Sequence, residues 1–320
     1  MIILQGEGEN MRTAYLAISY KCNQHCSFCP CSKEESMYPF VEMENIMNTA
    51  ENFVKMQGVD TIVISGGEPT LHPQFMEIIE FITKKLNCSV TVLSNGEKYG
   101  DKTFIEKIKR MDIKEKYTAI TTIHSQNAEE HERINGSKGS FSRSIAGLKM
   151  MEKIGVNVII KHCITVANYK ELTEFYKFID EEFDDSVNIQ LCSIDYCGIE
   201  EKDLEKNKLS FVSLKPYLEK MFDLYVENCQ KGSARYMYAI NMPFCACDPY
   251  YWEFLTPKAE GYSAYASPDD SGDMVKLNQV DPNVDTFGGA CQECKVKEIC
   301  PGTYKTAFEY YGDTIIAPYE

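Results

Sequence analysis

The sequence predicts an α/β fold: a partial (β/α)6 barrel over residues 1–231, then a small irregular cysteine-rich domain over 232–320. Three observations predict it. Up to about residue 230, short apolar segments alternate with segments of helical period. The stretches that follow the apolar segments collect the polar and thiol residues. From about 232 the regular alternation gives way to Tyr, Pro, Gly and Cys. Near-continuous apolar strands suit a parallel sheet covered by helices. Right-handed crossovers curl such a sheet into a barrel or part of one, with its chemistry at the C-terminal ends of the strands.

Taken in order, TAYLAIS (13–19) reads as a strand and MENIMNTAENFVKMQ (43–57) as an amphipathic helix ending at Gly58. VDTIVIS (59–65) is a strand, and PQFMEIIEFITKKL (73–86) a helix that starts at Pro73, a favoured first-turn residue. SVTVLS (89–94), the helix KTFIEKIKRM (102–111) and the strand YTAITTIH (117–124) follow. FSRSIAGLKMMEKI (141–154) is helical up to Gly155, and VNVIIKHCITV (156–166) is the fifth strand. Helix YKELTEFYKFIDEEF (169–183), strand VNIQLC (187–192) and helix LKPYLEKMFDLYVEN (214–228) complete six units. KCNQHCSFC, SGGEPT, SNGEK and IHSQNAEEHER all fall at strand ends and so converge on one mouth. The motifs NMPFCACDPYYW and GGACQECKVKEICPGTY mark a tail stapled by a metal rather than by a large core.

Fourteen cysteines in a chain of 320 residues need an explanation. The opening MIILQGEGENMR lacks the basic start of a signal peptide. No apolar run approaches the roughly 20 residues that cross a bilayer. A cytoplasmic protein without membrane association is expected, where clustered thiols serve as metal ligands or catalytic groups rather than disulfides. Acidic residues outnumber basic ones by 48 to 33, a net charge of −15. Such a field opposes nucleic acid, whose binders need basic surface, and favours a peptide or small molecule.

The densest thiol cluster is KCNQHCSFCPCSKEE, from Lys21 to Glu35, with Cys22, Cys26, Cys29 and Cys31. Structural zinc usually takes two C-x2-4-C pairs. Here the spacing is C-x3-C-x2-C, and Cys29-Pro30-Cys31 is strained if both thiols must reach one small ion. Three thiolates on one loop suit three corners of a cubane iron–sulfur cluster, which leaves one iron open for chemistry.

The segment resembles the radical S-adenosylmethionine (SAM) enzymes, whose signature C-x3-C-x-aromatic-C stands here as Cys22, Cys26, Phe28 and Cys29. The resemblance implies that Cys22, Cys26 and Cys29 hold a SAM-binding [4Fe–4S] cluster, with Cys31 surplus. It also implies that SAM is cleaved reductively to a 5′-deoxyadenosyl radical that takes a hydrogen from substrate. Ser65-Gly66-Gly67-Glu68-Pro69 stands where the family has its GGE stretch for the SAM amino group. Glycines there let backbone carbonyls approach a ligand, and Glu68 can accept from an ammonium. Ser94-Asn95-Gly96 ends the third strand, and Thr122 and Arg133 occupy places where the family offers a hydroxyl and a guanidinium to SAM. His124, His131 and His162 read as ordinary polar or partly buried residues.

In the tail, Cys291-x2-Cys294-x5-Cys300 resembles the SPASM or shortened twitch extension, which binds auxiliary iron–sulfur clusters. Tyr304 stands where a full SPASM domain has a further cysteine, which argues for one auxiliary [4Fe–4S] cluster, the twitch arrangement. The fourth ligand is expected to be Cys245, with Cys247 as its alternative, and a zinc ribbon is the rival reading. Cys192 and Cys197, after the sixth strand, are candidate hydrogen donors to a substrate radical. Cys88, Cys163 and Cys229 read as small apolar residues.

The resemblance implies a radical SAM oxidoreductase acting on a ribosomally made peptide, by crosslinking, epimerisation or side-chain oxidation. The expected partners are that peptide, a separate leader-recognition protein, and a flavodoxin-type or other electron donor. A small-molecule dehydrogenase or cofactor-building enzyme is the alternative. A non-catalytic metal protein that docks a partner is the reading from another class, and reductive SAM cleavage separates it from the others.

Overall fold

The structure is a computed structural model and describes residues 12–33, 40–255, 264–268, 274–277 and 286–320. Nine strands form one sheet: β1 (Thr13–Ser19), β2 (Thr61–Gly66), β3 (Ser89–Ser94), β4 (Tyr117–Thr122), β5 (Asn157–Cys163), β6 (Asn188–Cys192), β7 (Met237–Ile240), β8 (Ala264–Pro268) and β9 (Met274–Leu277). The spatial order is β7-β6-β5-β4-β3-β2-β1-β8-β9. Every neighbouring pair is parallel except β8 with β9. The helices are α1 (Met43–Gln57), α2 (Phe75–Glu80), α3 (Lys102–Met111), α4 (Ala128–Asn135), α5 (Ser140–Ile154), α6 (Leu172–Glu182), α7 (Leu204–Asn207), α8 (Phe211–Gln230) and α9 (Lys305–Tyr311). None is long and apolar enough to cross a membrane, among the described residues.

Sequence explains the elements locally. In α1, Ile46, Ala50 and Phe53 are buried on one face, and Gly58 ends the helix in the left-handed region at φ 63°, returning its N–H to Phe53 and Val54. Asp101 caps α3 and Asn127 caps α4 with side-chain oxygens. Between the layers, Leu16, Ile62, Ile64, Val92, Ile160 and Leu191 of the strands pack on Ile78, Ile82, Leu148, Phe222 and Leu218. Each such side chain contributes about 1.5–3 kcal/mol through burial.

The six predicted strands and their helices are present, with shifted ends. The helix predicted over 73–86 is α2 followed by a wider π turn, Phe81–Lys85. The helix predicted over 214–228 begins earlier, at Phe211, because Ser210 accepts from the Ser213 N–H and caps it. The sheet also continues past residue 231. β7 pairs with β6, and its approach is anchored by Arg235, a fully buried guanidinium that donates to the carbonyls of Val187 and Phe183. On the opposite edge β8 adds beside β1, so the tail supplies strands at both ends of the barrel sheet.

Candidate functional site

The cysteine loop leaves the C-terminal end of β1 and is held there by its neighbours' strand ends. The β1 strand bulges between Ala17 and Ser19, setting Ser19 against Gly66. The Gly67 N–H donates to Ser19 O at 2.6 Å and the Glu68 N–H to Lys21 O at 2.8 Å. A Cβ on Gly66, whose φ is 123°, would stand 1.9 Å from Ser19 O, and one on Gly67 would stand 2.6 Å from both Tyr20 O and Lys21 O. The two glycines therefore let this turn close on the chain that enters the loop. The surplus thiol has a partner: Cys31 Sγ donates to Gly66 O at 3.4 Å.

Glu68 is 2% exposed, and its carboxylate gathers the next strand end. It accepts from the Thr70 amide (3.1 Å) and hydroxyl, from Ser94 Oγ (2.8 Å) and from the Asn95 N–H (2.7 Å). Burial pushes its pKa up while these donors oppose the shift. In this state Glu68 ties SGGEP to SNG. The expected site residue Asn95 reaches the loop directly, Nδ2 donating to Asn23 Oδ1 at 2.7 Å. Gln24 donates to Glu97 at 2.7 Å, and Glu97 in turn accepts from Arg143 at 2.6 Å. The amides of His25 and Ser27 donate to the carbonyls of Asn135 and Ile134 at the end of α4.

Within this frame Cys22, Cys26 and Cys29 lie close enough to act on one another. Burial, reinforced by Cys29 and Cys22, pushes the Cys26 thiol up. The Gln24 N–H points at Cys22 Sγ at 3.4 Å. His124, just past β4, places Nε2 3.8 Å from Cys26 Sγ, and its ring meets Phe28 edge-on at 5.6 Å. Burial, with His131 and His162 adding, drives the pKa of this histidine well down. Three clustered thiols with backbone N–H groups aimed at sulfur fit an iron–sulfur cluster chemically. No group of three Cys, His, Asp or Glu among the described residues converges as a single-ion site.

Other expected residues fall in different places. Ser65, in β2, is buried, and Thr122 is half-buried at the end of β4. Arg133 stands apart, its side chain 62% exposed and bound to Glu130 through Nε at 2.9 Å. Sequence reading passed over Gln24, Glu97 and Arg143 and took His124 as an ordinary polar residue, because little in the local pattern marks a polar side chain as a neighbour of the thiols. A His at a strand end beside the thiol loop was the one available signal.

The second thiol group is assembled by the tail. Cys300 Sγ accepts from the Phe244 and Gly302 amides, both at 3.4 Å. Burial pushes the Cys245 thiol up to about 12, and Cys300 and Cys291 are the thiols that add to this. Cys291 is raised by burial, with Cys300 and Cys294 adding. Cys247 is also raised to about 12 by burial, with Glu219, Asp248 and Cys245 adding and Lys215 opposing. Cys245, Cys291 and Cys300 thus act on one another, while Cys247 acts with Cys245 and with Glu219 and Lys215 of α8. None of the chain's cysteines forms a disulfide.

Cys192 and Cys197 lie between the two groups. Cys192 ends β6 in register with Cys163 of β5. Cys197 sits in the turn Tyr196–Gly198, which packs on the thiol loop so closely that a Cβ on Gly198 would be 2.3 Å from Cys29 O.

Comparison with known proteins accords with this geometry. Residues 16–180, just over half of the chain, match the family model of the Radical SAM superfamily. The antilisterial bacteriocin subtilosin biosynthesis protein AlbA of Bacillus subtilis (strain 168) is 29% identical over 159 residues, 50% of this chain and 34% of that protein. A probable GTP 3′,8-cyclase of Saccharolobus islandicus is 25% identical over 173 residues, 54% of this chain and 53% of that one. The chain spans between about a third and a half of the length of these relatives. Among solved structures, Streptococcus suis SuiB bound to S-adenosylmethionine superposes with a TM-score of 0.66 at 17% identity, covering 96% of this chain and 77% of that one. The protein anSMEcpe with bound AdoMet and a peptide gives 0.66 at 15% identity, covering 96% and 93%. These two likenesses are of fold. The match over the thiol loop and the strands that frame it makes the chain a member of the radical SAM superfamily, an enzyme family that uses SAM and a [4Fe–4S] cluster.

Proposed function

We propose that the protein is a peptide maturase that abstracts a hydrogen from a ribosomally synthesised peptide, with an auxiliary cluster in its tail. Cys22, Cys26 and Cys29 would hold a [4Fe–4S] cluster, which would supply the electron for reductive cleavage of SAM to methionine and the 5′-deoxyadenosyl radical. The chain's own residues do the rest. Gly66 and Gly67 bring the turn onto the loop, Asn95 and Gln24 hold the loop's shape, and Phe28 with His124 walls it on the β4 side. Cys245, Cys291, Cys294 and Cys300 are assigned to the auxiliary [4Fe–4S] cluster, with Cys245 preferred to Cys247 because Cys300 and Cys291 act on Cys245, whereas Cys245 is the one thiol that acts on Cys247.

The observation that carries the reading is the thiol loop's attachment to the ends of β2 and β3 and to α4 at once, with Cys22 and Cys29 close enough to act on Cys26. The peptide substrate is supported by two likenesses: AlbA is a bacteriocin biosynthesis protein, and SuiB is known bound to its precursor peptide SuiA. Crosslinking, epimerisation and side-chain oxidation remain the reactions proposed, with a flavodoxin-type donor and a leader-recognition protein as partners.

The test is iron, sulfide and zinc per chain after reconstitution without oxygen, with SAM cleavage under reduction. About eight irons with matching sulfide are expected for two cubanes. Cys22→Ala, Cys26→Ala and Cys29→Ala together should halve the iron and abolish 5′-deoxyadenosine formation. Zinc without sulfide sinks the reading.

A further inference from the structure

Three segments distant in sequence meet at the end of β6. Tyr304, four residues beyond Cys300, is half-buried and has its hydroxyl 3.9 Å from Cys192 Sγ. Asn241, just past β7, donates its Nδ2 to Tyr304 Oη at 2.7 Å and lies 3.9 Å from the same sulfur. The Cys192 thiol donates to Ser193 O at 2.9 Å, which leaves the phenol as the donor in its 3.9 Å contact with that sulfur. The Asn241 backbone is left-handed at φ 55°, unusual for a residue other than glycine. Its carbonyl accepts from both Ser193 Oγ and, at 2.9 Å, Thr303 Oγ1, which locks that conformation. A left-handed asparagine held by hydrogen bonds from two other segments is a built arrangement rather than loose packing. On its other side Cys192 is the register partner of Cys163. Cys163 is pushed up to about 12 by burial, and the thiols that add to its shift are Cys192 and Cys29 of the cluster loop. Sulfur and phenol groups therefore run from the thiol loop to the tail.

We infer that Cys192 and Tyr304 form a hydrogen-atom relay, in which the Cys192 thiol quenches a carbon radical and the Tyr304 phenol restores the thiol. This rests on the radical SAM reading above and adds the fate of the substrate radical. In the first step the S–H bond of Cys192 breaks homolytically, a C–H bond forms on the substrate carbon, and a thiyl radical remains. In the second, the O–H bond of Tyr304 breaks, the S–H bond of Cys192 reforms, and a tyrosyl radical remains. In the third, one electron from a low-potential one-electron reductant and one solvent proton regenerate the phenol. S–H and phenolic O–H bonds are similar in strength and weaker than aliphatic C–H bonds, so the first step is downhill and the second nearly level. Cys192 is 1% exposed in the substrate-free chain, which shields a thiyl radical from solvent. Asn241 is a positioning residue: it fixes the phenol oxygen so that its proton faces sulfur.

The experiment needs no substrate. The reconstituted full-length chain is equilibrated in D2O and given SAM and dithionite, so that the 5′-deoxyadenosyl radical from uncoupled cleavage takes the place of the substrate radical. Wild type should yield 5′-deoxyadenosine carrying deuterium from an exchangeable S–D, together with a tyrosyl radical signal in freeze-quenched samples. Cys192→Ala should lose both. Cys192→Ser, which keeps the side-chain size but has an O–H bond too strong to donate, should lose both as well, so that misfolding of one variant does not decide the matter. Tyr304→Phe should keep its iron, lose the tyrosyl signal and restrict labelled product to a single turnover. Deuterium that persists in both Cys192 variants, or a wild type with neither label nor tyrosyl signal despite SAM cleavage, overturns the relay. Iron loss in Tyr304→Phe equal to that of Cys300→Ala makes the phenol a structural prop and overturns it too. A wild type that cleaves no SAM at all removes the radical SAM reading itself, a different failure with a different signature.

Discussion

The two thiol groups are held by different physics. The loop of Cys22, Cys26 and Cys29 is fastened by the side chains of Asn95 and Glu97 and the carbonyls of Gly66, Ile134 and Asn135, from the ends of β2 and β3 and from α4. Those strands carry a continuous buried core, so the loop has a shape before any metal arrives. The tail group is held by short irregular turns with polar-tipped aromatics between them. Phe244 stacks on Trp252 at 4.4 Å, Trp252 donates to Phe244 O, and Tyr319 donates to the Cys247 carbonyl at 2.8 Å. Little regular structure spans it, and the sulfur of Cys300 is itself one of the anchors, accepting two amides. A site built on strand ends survives its cofactor's removal; a site built from its own ligands does not.

That contrast predicts the largest effect. Replacing Cys300 with Ala should release the tail's iron and raise proteolytic cleavage after residue 286 by about tenfold or more, since the opening free energy there falls. The combined Cys22, Cys26 and Cys29 alanine variant should release as much iron from the loop and leave the proteolytic pattern unchanged. Equal protease sensitivity in the two variants breaks the comparison. Cys245→Ala should behave like Cys300→Ala, whereas Cys247→Ala, at a buried thiol facing α8, should keep the iron and cost roughly 1 kcal/mol of packing.

Next in size is Gly67→Ala. Its Cβ meets two carbonyl oxygens at 2.6 Å, both belonging to backbone that cannot swing aside. The turn must move off the loop, at a cost of about 4 kcal/mol, with loss of the loop's iron and retention of the tail's. Urea unfolding and metal analysis read the two consequences separately.

A third prediction concerns the polar layer behind the loop. His131 and His162 are each pushed down to about 4, in both cases chiefly by burial. The His131 ring packs against His124, and that of His162 against Phe175 at 3.9 Å. The unfolded chain takes up these protons below about pH 6.5, whereas the folded chain resists until about pH 4. The stability the neutral rings preserve is therefore full above about pH 6.5 and is lost as pH falls to about 4, by up to about 3 kcal/mol for each ring. His162→Phe should flatten the acid limb of the unfolding curve; an unchanged limb assigns the acid loss to other groups.

What was legible in the sequence follows the same division. Thr61–Gly66 was readable because burial on both faces leaves an apolar run at its centre, and Ser89–Ser94 because Val90 and Val92 alternate with half-buried residues. The Met237–Ile240 strand was not, being four residues long and introduced by Arg235, whose burial depends on the carbonyls of Phe183 and Val187 about fifty residues away. Ala264–Pro268 and Met274–Leu277 are as short, and polar residues interrupt them. The cysteines announced themselves by spacing. The polar residues around them did not, because their partners are set by which strand ends adjoin. Glu68 shows the limit well. A carboxylate in a glycine turn reads as a ligand for an ammonium, yet here four protein donors already converge on it. Arg133 shows it in reverse, since Glu130 one turn earlier on the same helix captures it.

The smallest effect tests the loop's one surplus thiol. Cys31 follows Cys29 across a proline, and its Sγ faces Gly66 O at 3.4 Å, a contact that joins the loop's far end to the glycine turn. A neutral thiol donor is weak, so Cys31→Ala should lower stability by less than about 1 kcal/mol. The remaining bonds to the turn run from Gly67 and Glu68 to Ser19 and Lys21, upstream of the thiols, and do not involve Cys31. Iron content and SAM cleavage should therefore stay at wild-type levels. A loss of iron confined to the loop in this variant would mean instead that Cys31 stands among the ligands. The contrast between a pre-shaped loop and a self-ligated tail would then weaken, because the loop too would need its sulfurs bound to hold its form.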